Sequence, residues 1–174
     1  MDYLRVDSAK ILNSFECGIQ TMDFYIHTYL DSLIRQDNRF RLYVTMEKNA
    51  DIVGMFVLRD SSFVDYDDAF HDIPHGEMFG YLDDDFQILK TTSYPTLRIE
   101  YLAVREDLRN QGYGMEIINI ISRMAMDNEC YFLTVDAYHN AEYSAIPFYE
   151  KMGFFAIEEF SDDSDTLRMA KRLA

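Results

Sequence analysis

A chain of 174 residues with 48% apolar and 15% aromatic residues is long enough to bury a core and too apolar to be disordered. Its net charge of −15 argues against broad nucleic-acid binding. No run approaches the ~20 apolar residues of a membrane span, so no membrane partner is expected. The opening "MDYLRVDSAK" lacks a basic head followed by an apolar run. Cys17 and Cys130 show no CxxC spacing, so free thiols in a reducing cytoplasm are expected.

The pattern starts with a short strand, "DYLRVD". Over 19–36 the apolar residues Met22, Tyr25, Ile26, Tyr29, Leu30, Leu33 and Ile34 recur at helical steps. Asp23, His27, Asp31 and Arg35 fall on the wet side of that helix. "FRLYVTME" and "DIVGMFVLRD" read as strands joined by a turn at "KNAD". Residues 61–94 are polar and weakly periodic, and a long loop is expected there. Within 60–85 nine acidic residues stand without a Lys or Arg. They make either a solvated surface or a loop that draws in a cationic substrate.

"TLRIEYLAV" is the next strand, entered through Pro95. A helix beginning near Gly112 buries Tyr113, Ile117, Ile120, Ile121 and Met124. "YFLTVDA" is a strand buried on both faces. A helix at "SAIPFYEKM" is capped by Ser144, takes Pro147 in its first turn and stops at Gly153. "FFAIEEF" and "TLRMAKRL" close the chain as strands around the turn-like "SDDSD". With no internal repeat and no composition break, residues 1–174 read as a single α/β domain.

One turn carries chemistry. "RNQGYG" sits between a strand and a helix, with two of the chain's 7 glycines. A helix N-terminus has unpaired N–H groups and partial positive charge, a ready site for a phosphate. The GK[ST] ending of a Walker loop is missing, and no acidic residue follows at the dinucleotide-fold distance.

The order strand, Arg-x-x-Gly-x-Gly, helix, strand, then "FYEKMGF" resembles the GNAT superfamily of acetyl-CoA-dependent N-acetyltransferases, most closely over 97–155. The resemblance implies a mixed, mostly antiparallel sheet of about six or seven strands flanked by helices, with an acetyl-CoA-binding core over about 97–155. It also implies acetyl-CoA as cosubstrate, with the turn from Arg109 and Asn110 through Gln111, Gly112, Tyr113 and Gly114 around its diphosphate. Leu102, Ala103 and Val104 would pair their backbone with the pantetheine arm. Asn140, five residues ahead of Ala145, is the nearest counterpart of a family asparagine that stands three ahead. No metal is implied: Pro74 breaks the geometry of His71 and His75, and a loop is expected there.

Tyr149 matches the family's acid at the departing sulfur; its other reading is a core aromatic. Strand alternation puts Glu100 on one face with Arg98, Leu102 and Val104. It is either the base for the incoming amine or an ion-pair partner of Arg98. The implied function is transfer of an acetyl group to an amine: a small cationic amine, a lysine or an N-terminal amine. Two alternatives stand beside it. "FECGIQTMDFYIHTYL" and "SYPTLRIEYLAV" resemble the toxin branch that acetylates aminoacyl-tRNA, for which Arg35, Arg39 and Arg41 are the local basic cluster. The other alternative is a non-catalytic coenzyme A-binding module. A homodimer is left open.

Overall fold

The computed structural model describes residues 1–66, 69–73, 76–158 and 164–173. Asp67, Asp68, Pro74, His75 and most of "SDDSD" lie outside the described residues, as does the end of "FFAIEEF". The strands are β1 (Asp2–Val6), β2 (Arg41–Met46), β3 (Ile52–Asp65), β4 (Glu77–Leu82), β5 (Ile88–Val104), β6 (Phe132–Tyr138), β7 (Phe155–Ala156) and β8 (Thr166–Arg172). The helices are α1 (Gln20–Thr28), α2 (Leu30–Gln36), α3 (Tyr113–Asp127) and α4 (Ile146–Lys151). One eight-stranded sheet runs β1-β2-β3-β5-β6-β8-β7, with β4 on β5 alone. Among the described residues only β5 and β6 pair in parallel. This is the expected mixed, mostly antiparallel GNAT-like α/β sheet, one strand larger than anticipated. No described helix is long and apolar enough to cross a membrane.

The apolar run of β3 serves two layers because strand side chains alternate. Met55 and Val57 pack with Ile26, Leu30 and Ile34 of the first two helices. Phe56 and Leu58 pack on the other face with Ile117, Ile120 and Ile121 of α3. Ile118, absent from the expected α3 stripe, is buried as well.

Three expectations change. The 61–94 stretch is not a loop for most of its length: β3 runs on to Asp65, and β4 pairs with the start of β5 as a long ribbon. The helix over 19–36 breaks at Tyr29, whose φ of −114° falls outside the helical range. Ser144 does not cap α4; its Oγ pairs with His139 Nδ1 at 2.8 Å, and Ala145 takes the cap position.

The wet side of α1 and α2 is not merely wet. Asp23 accepts the N–H groups of Cys17 (2.7 Å) and Gly18 (3.0 Å). His27 donates from Nε2 to the Phe15 carbonyl at 2.8 Å. Asp31 accepts from Ser8 Oγ (2.9 Å) and the Ala9 N–H (2.8 Å). Spaced by four, these three residues form a row that fastens residues 8–18 along the helices.

Asp31→Ala strands the N–H of buried Ala9 and is expected to lower unfolding free energy by about 1–3 kcal/mol. Arg35→Ala removes an exposed ion pair to Asp31 and an exposed 3.3 Å hydrogen bond to Ser8 Oγ, leaves no buried group stranded, and is expected to stay below about 1 kcal/mol. Urea denaturation of the two variants checks the asymmetry.

Candidate active site

β5 and β6 pair from Thr96↔Phe132 to Ile99↔Val135, and there the pairing stops. Beyond that point β5 keeps only β3, and β6 keeps only β8. The two strands splay and leave a cleft of about 440 Å³ with free strand edges along it. Glu100, Tyr101, Leu102, Ala103 and Val104 form one wall. Val135, Asp136 and Tyr138 form the facing one, and Phe148 and Tyr149 of α4 close the inner end.

The splay begins at a β-bulge. On β3, Val57 faces Tyr101 and the next residue, Leu58, faces Ile99, so Glu100 is the extra residue. The bulge exchanges the faces of the strand. Leu97 and Ile99 pack toward α3, but past the bulge it is Leu102 and Val104 that do so. Tyr101 and Ala103 turn to the opposite layer, where Tyr101 stacks on Tyr25 at 4.4 Å. The expected common face of Arg98, Glu100, Leu102 and Val104 is therefore corrected, because the alternation does not survive the extra residue.

Glu100 and Arg98 do meet. Arg59 and Arg98 are direct cross-strand partners, a repulsive pair. The Glu100 carboxylate sits between them: Arg59 Nε donates to Oε1 at 2.8 Å, and Arg98 Nε lies 2.9 Å from the same oxygen. The second contact is an ion pair too poorly aligned for a hydrogen bond, since Arg98 Nε has no hydrogen-bond partner. Arg98 continues to Asp136 (2.6 Å), which also holds Arg168 (2.8 Å). Three arginines and two carboxylates thus form one chain along the cleft's edge. Arg59 and Asp136 were not singled out from sequence. A lone Asp in the apolar run "YFLTVDA" was the available signal.

At the other end the 109–114 turn leads into α3. Gly112 has φ +91°, and a Cβ there would meet nothing within 4 Å. At Gly114 a Cβ would lie 3.2 Å from the Phe148 ring, so this glycine lets α3 pack closely on α4. Glu116 N–H makes the first helical bond, to the Gly112 carbonyl, which leaves the amides of 113–115 without intrahelical acceptors. Arg109 lies over the Tyr143 ring at 5.2 Å and donates to the Cys17 carbonyl at 3.3 Å. Unlike the arginines at the bulge, it forms no ion pair among the described residues.

The structure brings Arg109, Asn110, Gly112 and Gly114 to the cleft with 100–104 and Tyr149. The side chains of Gln111, Tyr113 and Asn140 do not line it. The Gln111 amide donates to the Asp107 carbonyl. Desolvation and the nearby charge of Glu47 raise the Tyr113 phenol. Asn140 accepts from the N–H groups of Glu142 and Tyr143 and donates to the Tyr138 hydroxyl, so its amide is committed to its own turn. Over the cleft, the Gln20 N–H meets Glu142 Oε1 (3.1 Å) and Thr21 meets the Tyr138 hydroxyl (3.0 Å), tying α1 to the far bank.

Burial pushes the Tyr149 phenol up, so it stays protonated at neutral pH. Burial also pushes the Cys17 thiol in the cleft wall up to about 12. Among the described residues no group of three or more His, Cys, Asp or Glu could hold a metal ion.

A sequence profile described as acetyltransferase (GNAT) family matches residues 10–154. No curated protein sequence matches the chain. Solved structures share its fold at low identity. AtaT complexed with acetyl-methionyl-tRNAfMet has a TM-score of 0.62 at 18% identity, over 96% of this chain and 92% of its own. AtaTR bound with AcCoA has 0.62 at 18%, over 96% and 91%. The AtaT-AtaR complex bound to DNA has 0.60 at 18%, over 99% and 95%. These likenesses give no support to the exclusion of nucleic acid that net charge suggested.

Burial alone would raise the Asp136 carboxyl, but its hydrogen bond to Arg168 and the charges of Arg98 and Arg168 hold it below the usual value. With a depressed native value, the contribution of Asp136 to stability is complete above the unfolded value of ~3.9 and is lost as pH falls below it. Urea midpoints between about pH 5 and pH 2 should therefore fall less steeply for Asp136→Asn than for the wild type. That variant should also start from lower stability at neutral pH.

Proposed function

The chain belongs to the acetyltransferase (GNAT) family, and from that premise we propose that its cleft passes an acetyl group from acetyl-CoA to a weakly basic α-amine. The observation that carries this reading is the position of Glu100 between Arg59 and Arg98. A base at this point would have to take a proton onto the carboxylate that separates two arginines. Keeping a lysine-type amine neutral at pH 7 costs about 4.6 kcal/mol, and a strong base is needed to offset that. An α-amine near ~7.8 costs only about 1 kcal/mol, and solvent can take its proton.

The residues fit the donor. The αL turn at Gly112 leaves open space beside unpaired amides, which suits the diphosphate, and Arg109 supplies a positive charge that pairs with no carboxylate among the described residues. The free edge of β5 at Leu102, Ala103 and Val104 can accept the pantetheine arm as an added strand. An N–H in the same stretch would hold the oxyanion as the amine attacks the thioester carbon. The C–S bond then breaks, and Tyr149, kept protonated by burial, donates a hydrogen bond to the departing thiolate, which takes its proton from solvent.

An aminoacyl ester on tRNA is one such α-amine, and the likeness to AtaT with acetyl-methionyl-tRNAfMet supports it. The basic cluster first weighed for that role is a poor phosphate site, because each arginine faces a carboxylate. Arg35 pairs with Asp31, Arg39 with Asp37 and Arg41 with Asp60. An RNA acceptor would be held elsewhere.

A panel of acceptors tests the class. Aminoacyl-tRNA, a peptide with a free N-terminus, a blocked peptide with one lysine, and spermidine are each incubated with acetyl-CoA and followed by thiol release and product mass. Acetylation confined to α-amines is expected; faster turnover of lysine or spermidine overturns the reading.

Two variants separate binding from chemistry. Acetyl-CoA at about a hundred times its Kd should stabilise the wild type by roughly 2.7 kcal/mol, and Gly112→Glu should abolish that shift in melting temperature. Tyr149→Phe should keep the shift and slow transfer by roughly ten- to a thousandfold, about 1.4 to 4 kcal/mol of barrier.

A further inference from the structure

None of the described acids of the 60–85 stretch lines the cleft. Asp60 pairs with Arg41, Asp72 with Arg172, and Asp65 accepts the N–H groups of Ala69 and Phe70. Asp83 accepts those of Asp85 and Gln87 and closes the turn between β4 and β5. That turn is far from the site: the twelve residue steps from Ile88 to Glu100 make about 40 Å of strand, several Debye lengths. Glu77, Asp84 and Asp85 therefore need another explanation.

So do the side chains around them. Met78 is 67% exposed, Leu82 63%, Phe86 83% and Ile88 77%. The register Met78↔Thr92, Gly80↔Lys90, Leu82↔Ile88 puts Met78, Leu82 and Ile88 on one face of the ribbon. Tyr66 covers part of the other face by packing on Tyr81. Among the described residues β4 pairs on one side only. It carries no Lys, Pro or bulge, the usual protections of an open edge. A two-stranded ribbon is marginal in water without a cover.

We propose that the free edge of β4 is a docking site for a basic, extended segment of a partner protein, which adds as a third strand with its apolar side chains on Met78, Leu82 and Ile88. Charge selects the occupant. Glu77, Asp84 and Asp85 bracket the edge, and the one Lys or Arg from residue 60 to 97 is Lys90, which faces Gly80 on the neighbouring strand. A second copy of this chain is disfavoured: antiparallel pairing of two β4 edges sets Asp83, Asp84 and Asp85 of one beside Glu77 of the other. It would also join two chains of net charge −15.

A display library of random peptides of about eight residues, enough to span β4, is panned on the full chain. Counter-selection uses Asp84→Lys/Asp85→Lys, a change confined to an exposed turn. The expected pool is basic and alternates apolar with polar residues. Its members should bind about tenfold more weakly to the counter-selection variant and to Leu82→Ser/Ile88→Ser, and more weakly at raised salt. Acetyl transfer should be unchanged in both variants, so the result stands apart from the acceptor assignment. A pool with no ribbon-dependent binders, or one of acidic peptides, overturns the proposal. So does a dimer in sedimentation that Leu82→Ser/Ile88→Ser dissolves, since the second copy would then hold the edge.

Discussion

One extra residue in β5 governs the architecture. With Glu100 opposite no residue of β3, the strand bends where its pairing with β6 ends. Without the bulge, Leu102 and Val104 would face the layer of α1 and α2, and Tyr101 would face α3. The cleft wall would then present different side chains along a strand with less reason to diverge. Glu100 also suits the bulge electrostatically, because it separates Arg59 from Arg98. Fold and site therefore share one carboxylate, and its charge is needed for structure before any chemistry begins.

Net charge was a poor guide to what the surface can hold. Among the described residues eight arginines sit on carboxylates, half of the 16 basic side chains of the chain. Acids that look like a continuous field in sequence are partly consumed as hydrogen-bond acceptors, as Asp65 and Asp83 are. Arg109 makes no ion pair among the described residues, and it lies beside the turn that suits a diphosphate.

The sequence made some of this legible and hid the rest for physical reasons. Gly112 could be read because positive φ and open space leave a residue-type signature, and α3 because its apolar residues recur on one face. The bulge could not: an added residue in a strand changes register without changing composition. The β4–β5 ribbon was read as a loop because both its faces are largely exposed, so alternation does not mark it. The row of Asp23, His27 and Asp31 was read as solvated, since a helix face that binds backbone groups has the same polar pattern as one that faces water. Asn140 was matched to a family position by its residue type. Its amide is instead used by the turn it sits in.

Cys17 is the last feature with a bearing on chemistry. A thioester exchanges its acyl group with any thiolate that reaches the carbonyl carbon. The Cys17 sulfur lies in the wall of the cleft proposed to hold one. Burial pushes its thiol up to about 12, which keeps it protonated, and so unreactive, at neutral pH. The desolvation that packs the wall thus denies the acetyl group a place to park on the protein. It stays on its carrier until an amine arrives.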